Sequence, residues 1–284
     1  MGRGKIRLKN LPALIQVTFV SVLTAAAWLR PLPRSRQLMV SKLAVIAIVV
    51  FVLAQLGSRW LSSLASSVLQ DWLPAPLLLV PYWQIGCFFT NSDAQTEGRL
   101  HAFDRAFFRS LGIQPAKVSI SLAAGVYLEL AYVMVYPLIP LGLVILYLTG
   151  LRDFVNYYWI AVLAATYICL TITPFVRAMP PGSLSDYEKF RMPSSRVKML
   201  NHWLLRRASI HAITFPSAHV ASALAAALVL LRLEPWAGLI FLGAALSIAV
   251  ATVVGGYHYA ADVLLAVLAV ILLFVATFSI LKPG

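Results

Sequence analysis

The chain has 284 residues, 61% apolar and only 12% charged, with 23 Lys and Arg against 10 Asp and Glu. A soluble domain carries roughly 45–50% apolar and about 25% charged residues, so this composition excludes an ordinary soluble protein and fits a bilayer-embedded one. The net charge of +13 is scattered between hydrophobic runs, which argues against a nucleic-acid partner and for cationic loops facing anionic headgroups or a phosphate-bearing substrate.

In chain order, Arg3, Lys5, Arg7 and Lys9 precede an apolar run from Leu11 to Leu29. This pattern reads as a signal-anchor or a membrane-surface helix. Residues 38–57 are long and apolar enough to span, 58–71 read as a short amphipathic surface helix, and 72–90 are apolar but broken by Pro74, Pro76 and Pro81, so they span or re-enter. Further spans are expected at 119–149, 154–176, 217–234, 235–254 and 259–281. Two polar loops separate them, 91–118 and 177–216, and no stretch alternates as a strand does. Cys87 and Cys169 lie in apolar stretches without metal-ligand spacing. The expected fold class is all-α, a polytopic membrane helix bundle with six core transmembrane helices plus N-terminal membrane-associated helices. It divides into an N-terminal part, 1–90, and a main membrane domain, 91–284.

Chemistry concentrates at two places. In Phe215-Pro216-Ser217-Ala218-His219-Val220, Pro216 and Ser217 are good helix-starting residues, which puts His219 in a first turn where free N–H groups favour an anion. In Gly255-Gly256-Tyr257-His258-Tyr259-Ala260-Ala261-Asp262, the glycines permit a tight turn. His258 and Asp262 are four apart and share a helix face. A carboxylate there can hold the proton of one imidazole nitrogen and leave the other with a free lone pair. The 38 residues between the histidines allow two helices to cross the membrane out and back, so both return to one face. A lone interfacial histidine is usually only a polar boundary residue, whereas an aspartate at a spanning helix is costly and tends to be functional.

These residues resemble the type 2 phosphatidic acid phosphatase superfamily, whose second motif is Pro-Ser-x-His and whose third ends in His-x3-Asp. Phe215 to Val220 and Gly256 to Asp262 are similar to the inositolphosphotransferase-like branch. Asp104-Arg105-Ala106-Phe107-Phe108 and the stretch Tyr132 to Pro140 are similar to it as well, and the resemblance covers roughly 100–280. It implies a metal-independent lipid phosphatase or phosphotransferase that needs no cofactor and works on a phosphate or phosphodiester of a lipid. His258 is the implied nucleophile, Asp262 its orienting partner and His219 the acid and base, with Ser217 and cations on the nonbridging oxygens. Leu170 stands where the first motif has Lys, and Ala251 and Thr252 stand where the third often has Ser-Arg. Arg177 is the candidate for one missing cation, and Lys189, Arg191, Arg196, Lys198, Arg206 and Arg207 compete for the other.

Glu129, inside an expected span, is a candidate for an acceptor hydroxyl or an arginine partner, or else a structural contact between helices. His211 is a candidate pocket-lining residue, and Tyr257 and Tyr259 read as interfacial belt tyrosines. The expected partners are a phospholipid or lipid phosphate substrate and the membrane itself, the cell (inner) membrane. The two polar loops hold eleven Lys and Arg, against Arg152, Arg232 and Lys282 on the other side. The positive-inside rule turns the site to the cytoplasm, while the resemblance implies an outward site. The alternatives are inositolphosphotransferase-type headgroup transfer to an alcohol, and a non-catalytic membrane binding or transport protein. The latter has no need of His258 paired with Asp262 opposite His219.

Overall fold

The computed structural model describes residues 10–185 and 187–280. The basic residues at 3, 5, 7 and 9, and Lys282, lie outside the described residues. The helices are α1 (Leu11–Leu29), α2 (Arg34–Gly57), α3 (Ser63–Trp72), α4 (Pro74–Leu77), α5 (Leu79–Gly86), α6 (Ala94–Ser110), α7 (Leu122–Val133), α8 (Val135–Leu148), α9 (Val155–Ile172), α10 (Arg196–Ala208), α11 (Ala218–Leu233), α12 (Pro235–Val254) and α13 (Ala260–Ile280). There is no strand among the described residues, only one isolated bridge between Ser119 and Arg191. The fold is the all-α polytopic bundle expected. The helices α1, α2, α9 with its flanking turns, α12 and α13 are long and apolar enough to cross a membrane, and α7 with α8 makes a sixth if counted as one bent span.

Three expectations about the elements need correction. The expected span 119–149 is two helices meeting at 61°. Pro137 has no N–H for the Val133 carbonyl, and Pro140 lies within α8, so the i to i−4 ladder fails where the chain bends. The expected span 217–234 has only 16 helical residues, and most of α11 is buried against other helices instead of facing lipid. Its alanines make that burial possible, because small side chains let neighbouring helices approach. Gly238 shows how closely: a Cβ there would sit 2.1 Å from the Leu231 Cα. Third, the two polar loops contain helices. Asp93 caps α6 by accepting from the Gln95 N–H at 3.2 Å, and Ser195 caps α10 by accepting from the Lys198 N–H at 3.1 Å.

The N-terminal helices are joined to the rest by polar groups that a hydrocarbon environment leaves no other partner. Gln84 Nε2 of α5 donates to the Val20 and Val40 carbonyls and to Thr24 Oγ1, tying α1, α2 and α5 together. Gln16 Nε2 donates to the Pro74 carbonyl at 2.9 Å, and Phe19 stacks on Tyr167 of α9 at 4.0 Å. At the far end of α9, Asp71 accepts from Arg152 Nε at 2.8 Å and from the Tyr147 hydroxyl at 2.6 Å, while its carbonyl accepts from Trp159 Nε1. These contacts press α3 to α5 onto α8 and α9, which brings Tyr82 of α5 to the site described next.

Candidate active site

The second motif forms the start of α11. Ser217 is its cap: Oγ accepts from the Val220 N–H at 3.5 Å, and the Thr214 hydroxyl accepts from the Ala218 N–H at 3.1 Å. The Ser217 N–H donates to the Asp262 carbonyl at 3.1 Å, locking the first turn of α11 against the first turn of α13. The third motif begins with a turn. Gly256 has φ +72, and the N–H groups of Tyr257 and His258 both donate to the Thr252 carbonyl. Gly182 donates to the Gly256 carbonyl at 2.7 Å, and a Cβ on Gly182 would lie 2.7 Å from that same oxygen. Two backbones pass there with no room for a side chain.

His258 Nδ1 lies 3.0 Å from Asp262 Oδ2, which also accepts from the Tyr259 N–H at 3.2 Å. The Asp262 side chain is 0% exposed. The imidazole ring is therefore held at Nδ1, and Nε2 is the position for a free lone pair. Burial pushes the His258 pKa down, which favours the neutral ring. Across a cavity of about 170 Å³ stands His219, its ring centroid 6.1 Å from that of His258. The rings of Tyr82, Tyr132 and Tyr136 surround His219 at 6.0 to 6.3 Å. Its Nδ1 has no hydrogen-bond partner among the described residues, so no carboxylate imposes a tautomer on it. One imidazole is held by a carboxylate and the other is not, an arrangement that can attack with one ring and shuttle a proton with the other.

The other candidates fall into different places. His211 lines the cavity, on left-handed backbone at φ 56. Ser217 is buried with its hydroxyl used as a helix cap and is not one of the cavity's walls. Arg177 does not reach the cavity; it borders a small crevice beside Phe88 and Phe89, where its carbonyl accepts from the Asp93 N–H. Glu129 is one layer behind, accepting from Asn201 Nδ2 at 2.5 Å and from the Tyr257 hydroxyl at 2.7 Å, while Tyr257 stacks on Tyr132. It links α7, α10 and the turn that carries His258. Of the cations left in competition, Arg206 lines the cavity, whereas Lys189 donates to the Gly182 carbonyl and Lys198 to the Met192 carbonyl.

A family model described as the PAP2 superfamily matches residues 99–276, more than half of the chain. The chain belongs to the PAP2 superfamily. No curated protein and no solved structure matches it. Membership makes this PAP2 protein an enzyme of phosphatase type, acting on a phosphate-bearing substrate at a membrane. Tyr82 lies outside the matched residues yet forms part of the cavity wall. Nothing local in the sequence marks it.

Asp104 was visible only as part of a motif-like stretch, and the structure shows what it touches. Its Oδ1 accepts from the Ala260 N–H at 3.0 Å and its Oδ2 from the Tyr187 hydroxyl at 2.5 Å. From α6 it thus caps α13, satisfying one of the N–H groups that a helix start leaves open, two residues from Asp262. Burial raises its pKa to about 6, and the nearby Asp262 adds to the rise. Because the folded pKa lies above the unfolded one, the charged form costs stability above pH 6, and that cost fades as pH falls toward about 4. Asp104→Asn keeps an oxygen for Ala260 and sheds the charge. It is expected to exceed the wild type in stability at pH 7 by at most roughly 2–3 kcal/mol, with the gap closing between pH 6 and 4. Asp104→Ala sheds the charge too but loses the cap, and is expected to lie about 1 kcal/mol below Asp104→Asn at every pH. Thermal unfolding in detergent from pH 4 to 8 reads both, and a gap that widens on acidification contradicts the assignment.

Proposed function

We propose that this PAP2 protein is a lipid phosphatase or phosphotransferase that works through a phosphohistidine on His258. The observation that carries the reading is the pair of imidazoles across one small cavity, His258 held by Asp262 at 3.0 Å and His219 at 6.1 Å between ring centroids. His258 Nε2 attacks phosphorus and the bond to the lipid oxygen breaks, while protonated His219 gives its proton to that leaving oxygen. Neutral His219 then takes a proton from water or an alcohol, whose oxygen attacks phosphorus as the P–N bond breaks, and both rings return to their starting states. Asp262 holds the His258 tautomer and stabilises the ring as it gains positive character. Arg206 and the N-terminal end of α11 offset the charge on the nonbridging oxygens.

The motif stretches similar to the inositolphosphotransferase-like branch support an alcohol acceptor as the second form of this reading. A panel of lipids labelled in the phosphate, given to purified protein with and without inositol, separates the two. Release of free phosphate marks hydrolysis. A labelled inositol product formed only with inositol marks transfer, and no turnover of any lipid phosphate overturns the proposal.

The reaction as written uses no metal. Asp262 is committed to His258, and no group of three His, Cys, Asp or Glu among the described residues could hold an ion. Activity is therefore expected to survive exhaustive chelation. Loss in EDTA that a divalent cation restores would contradict the metal-free route.

A further inference from the structure

A second cavity, of about 390 Å³, meets the catalytic one at His219 and Tyr82, which line both. Its walls are mostly apolar: Leu79 of α5, Ile139 of α8 and Leu170 of α9 are among them, with the rings of Tyr136 and Trp159 beside them. Three of the polar groups that border it are spent on protein carbonyls. Thr166 Oγ1 donates to Val162, Ser222 Oγ to His219 and Trp159 Nε1 to Asp71. With these groups spent and most of the lining apolar, an apolar occupant fits better than a polar one.

The cavity also has the right position and depth for a lipid chain. From Leu170 to Trp159 it follows α9 for about 16 Å, roughly half of a hydrocarbon core of about 30 Å. The proline bend between α7 and α8 swings Tyr136 and Ile139 into its wall. Leu79 and Tyr136 are 42% and 44% exposed, so the rim is open to the surface that faces lipid. Its outer wall is held in place: Trp83 Nε1 donates to the Ala208 carbonyl at 3.0 Å, and the Tyr82 hydroxyl accepts from the Ile210 N–H. A wall tied down in advance costs little ordering on binding.

We propose that this cavity holds one hydrocarbon chain of the substrate and that residues 75–83, which lie outside the stretch matched to the PAP2 superfamily, decide which chains are accepted. This rests on the His219–His258 cavity being the phosphate site. Chain selectivity in this protein then belongs to its N-terminal segment, while the chemistry belongs to the matched domain.

The test is kcat/KM for butyl, octyl and hexadecyl phosphates at one fixed detergent composition. The wild type is expected to prefer hexadecyl over butyl by about tenfold or more, because each buried methylene adds to binding. Leu79→Trp fills the cavity and is expected to cut that preference about tenfold, with the change mainly in KM. Ile139→Phe, on the opposite wall, is the second variant should the first not fold. A hexadecyl phosphonate with a mid-chain diazirine reads position without turnover, and its crosslinks are expected within 75–83 and α8. Turnover with equal kcat/KM along the series, or crosslinks confined to other helices, overturns the chain site and leaves the phosphohistidine reading standing. No turnover of any member overturns that reading, and this one with it.

Discussion

His258→Ala is expected to form no phosphoenzyme from any substrate, and its turnover is expected to fall on the order of 10⁵-fold or more, the scale on which removing a nucleophile is felt. The loss does not depend on the leaving group, because the missing atom is the one that bonds to phosphorus. Asp262→Asn tests the support of that atom. In the wild type Asp262 Oδ2 accepts from both His258 Nδ1 and the Tyr259 N–H. An amide oxygen at the Oδ2 position can accept both bonds but carries no negative charge, so it stabilises the ring less as that ring gains positive character, and the rate is expected to fall by up to about 10⁴-fold with the fold retained. Single-turnover trapping of phosphoenzyme reads both variants, and phosphoenzyme recovered from His258→Ala refutes His258 as the nucleophile.

His219→Ala is expected to separate substrates by leaving group. An alkyl phosphate needs its departing oxygen protonated, and general acid catalysis contributes typically 10²–10⁴-fold, so phosphoenzyme formation from it is expected to fall by about that much. An aryl phosphate with an acidic phenol leaves without help and is expected to keep most of that step. Breakdown of the phosphoenzyme is slowed for both, since His219 is also the base that activates the acceptor. The aryl substrate is therefore expected to accumulate phosphoenzyme in this variant. Equal loss for the two leaving groups during phosphoenzyme formation means that the proton comes from elsewhere, with Tyr82, Tyr132 and Tyr136 the nearest ring neighbours.

The class of this protein and the local part of its site could be read from sequence because both depend on short-range chemistry. Apolar excess over a spanning length leaves no option but a membrane. A histidine and an aspartate four apart share a helix face whatever the rest of the chain does, and a gap of 38 residues suits one passage out and one back. The placing of α11 in the bundle interior, by contrast, comes from what packs around it. Its 16 residues are too few to span comfortably, and its alanines signal close packing only once the neighbours are known.

Choices among equivalent side chains were decided by tertiary structure. Arg177 and Arg206 are equally basic in sequence, yet the turn after α9 carries Arg177 to a crevice beside Phe88 while the last turn of α10 sets Arg206 on the cavity. Glu129 read equally well as an acceptor site and as a helix contact, and its bonds to Asn201 and Tyr257 place it behind the cavity wall. Tyr82 and Asp104 come from segments distant in sequence from the catalytic turns, so no periodicity or spacing could join them to His219 or to α13. Composition and helix period act within a few residues, so the membrane class and the one-turn pairing of His258 with Asp262 are legible in the chain. Which cation, which tyrosine and which carboxylate stand around them depends on how separate helices cross.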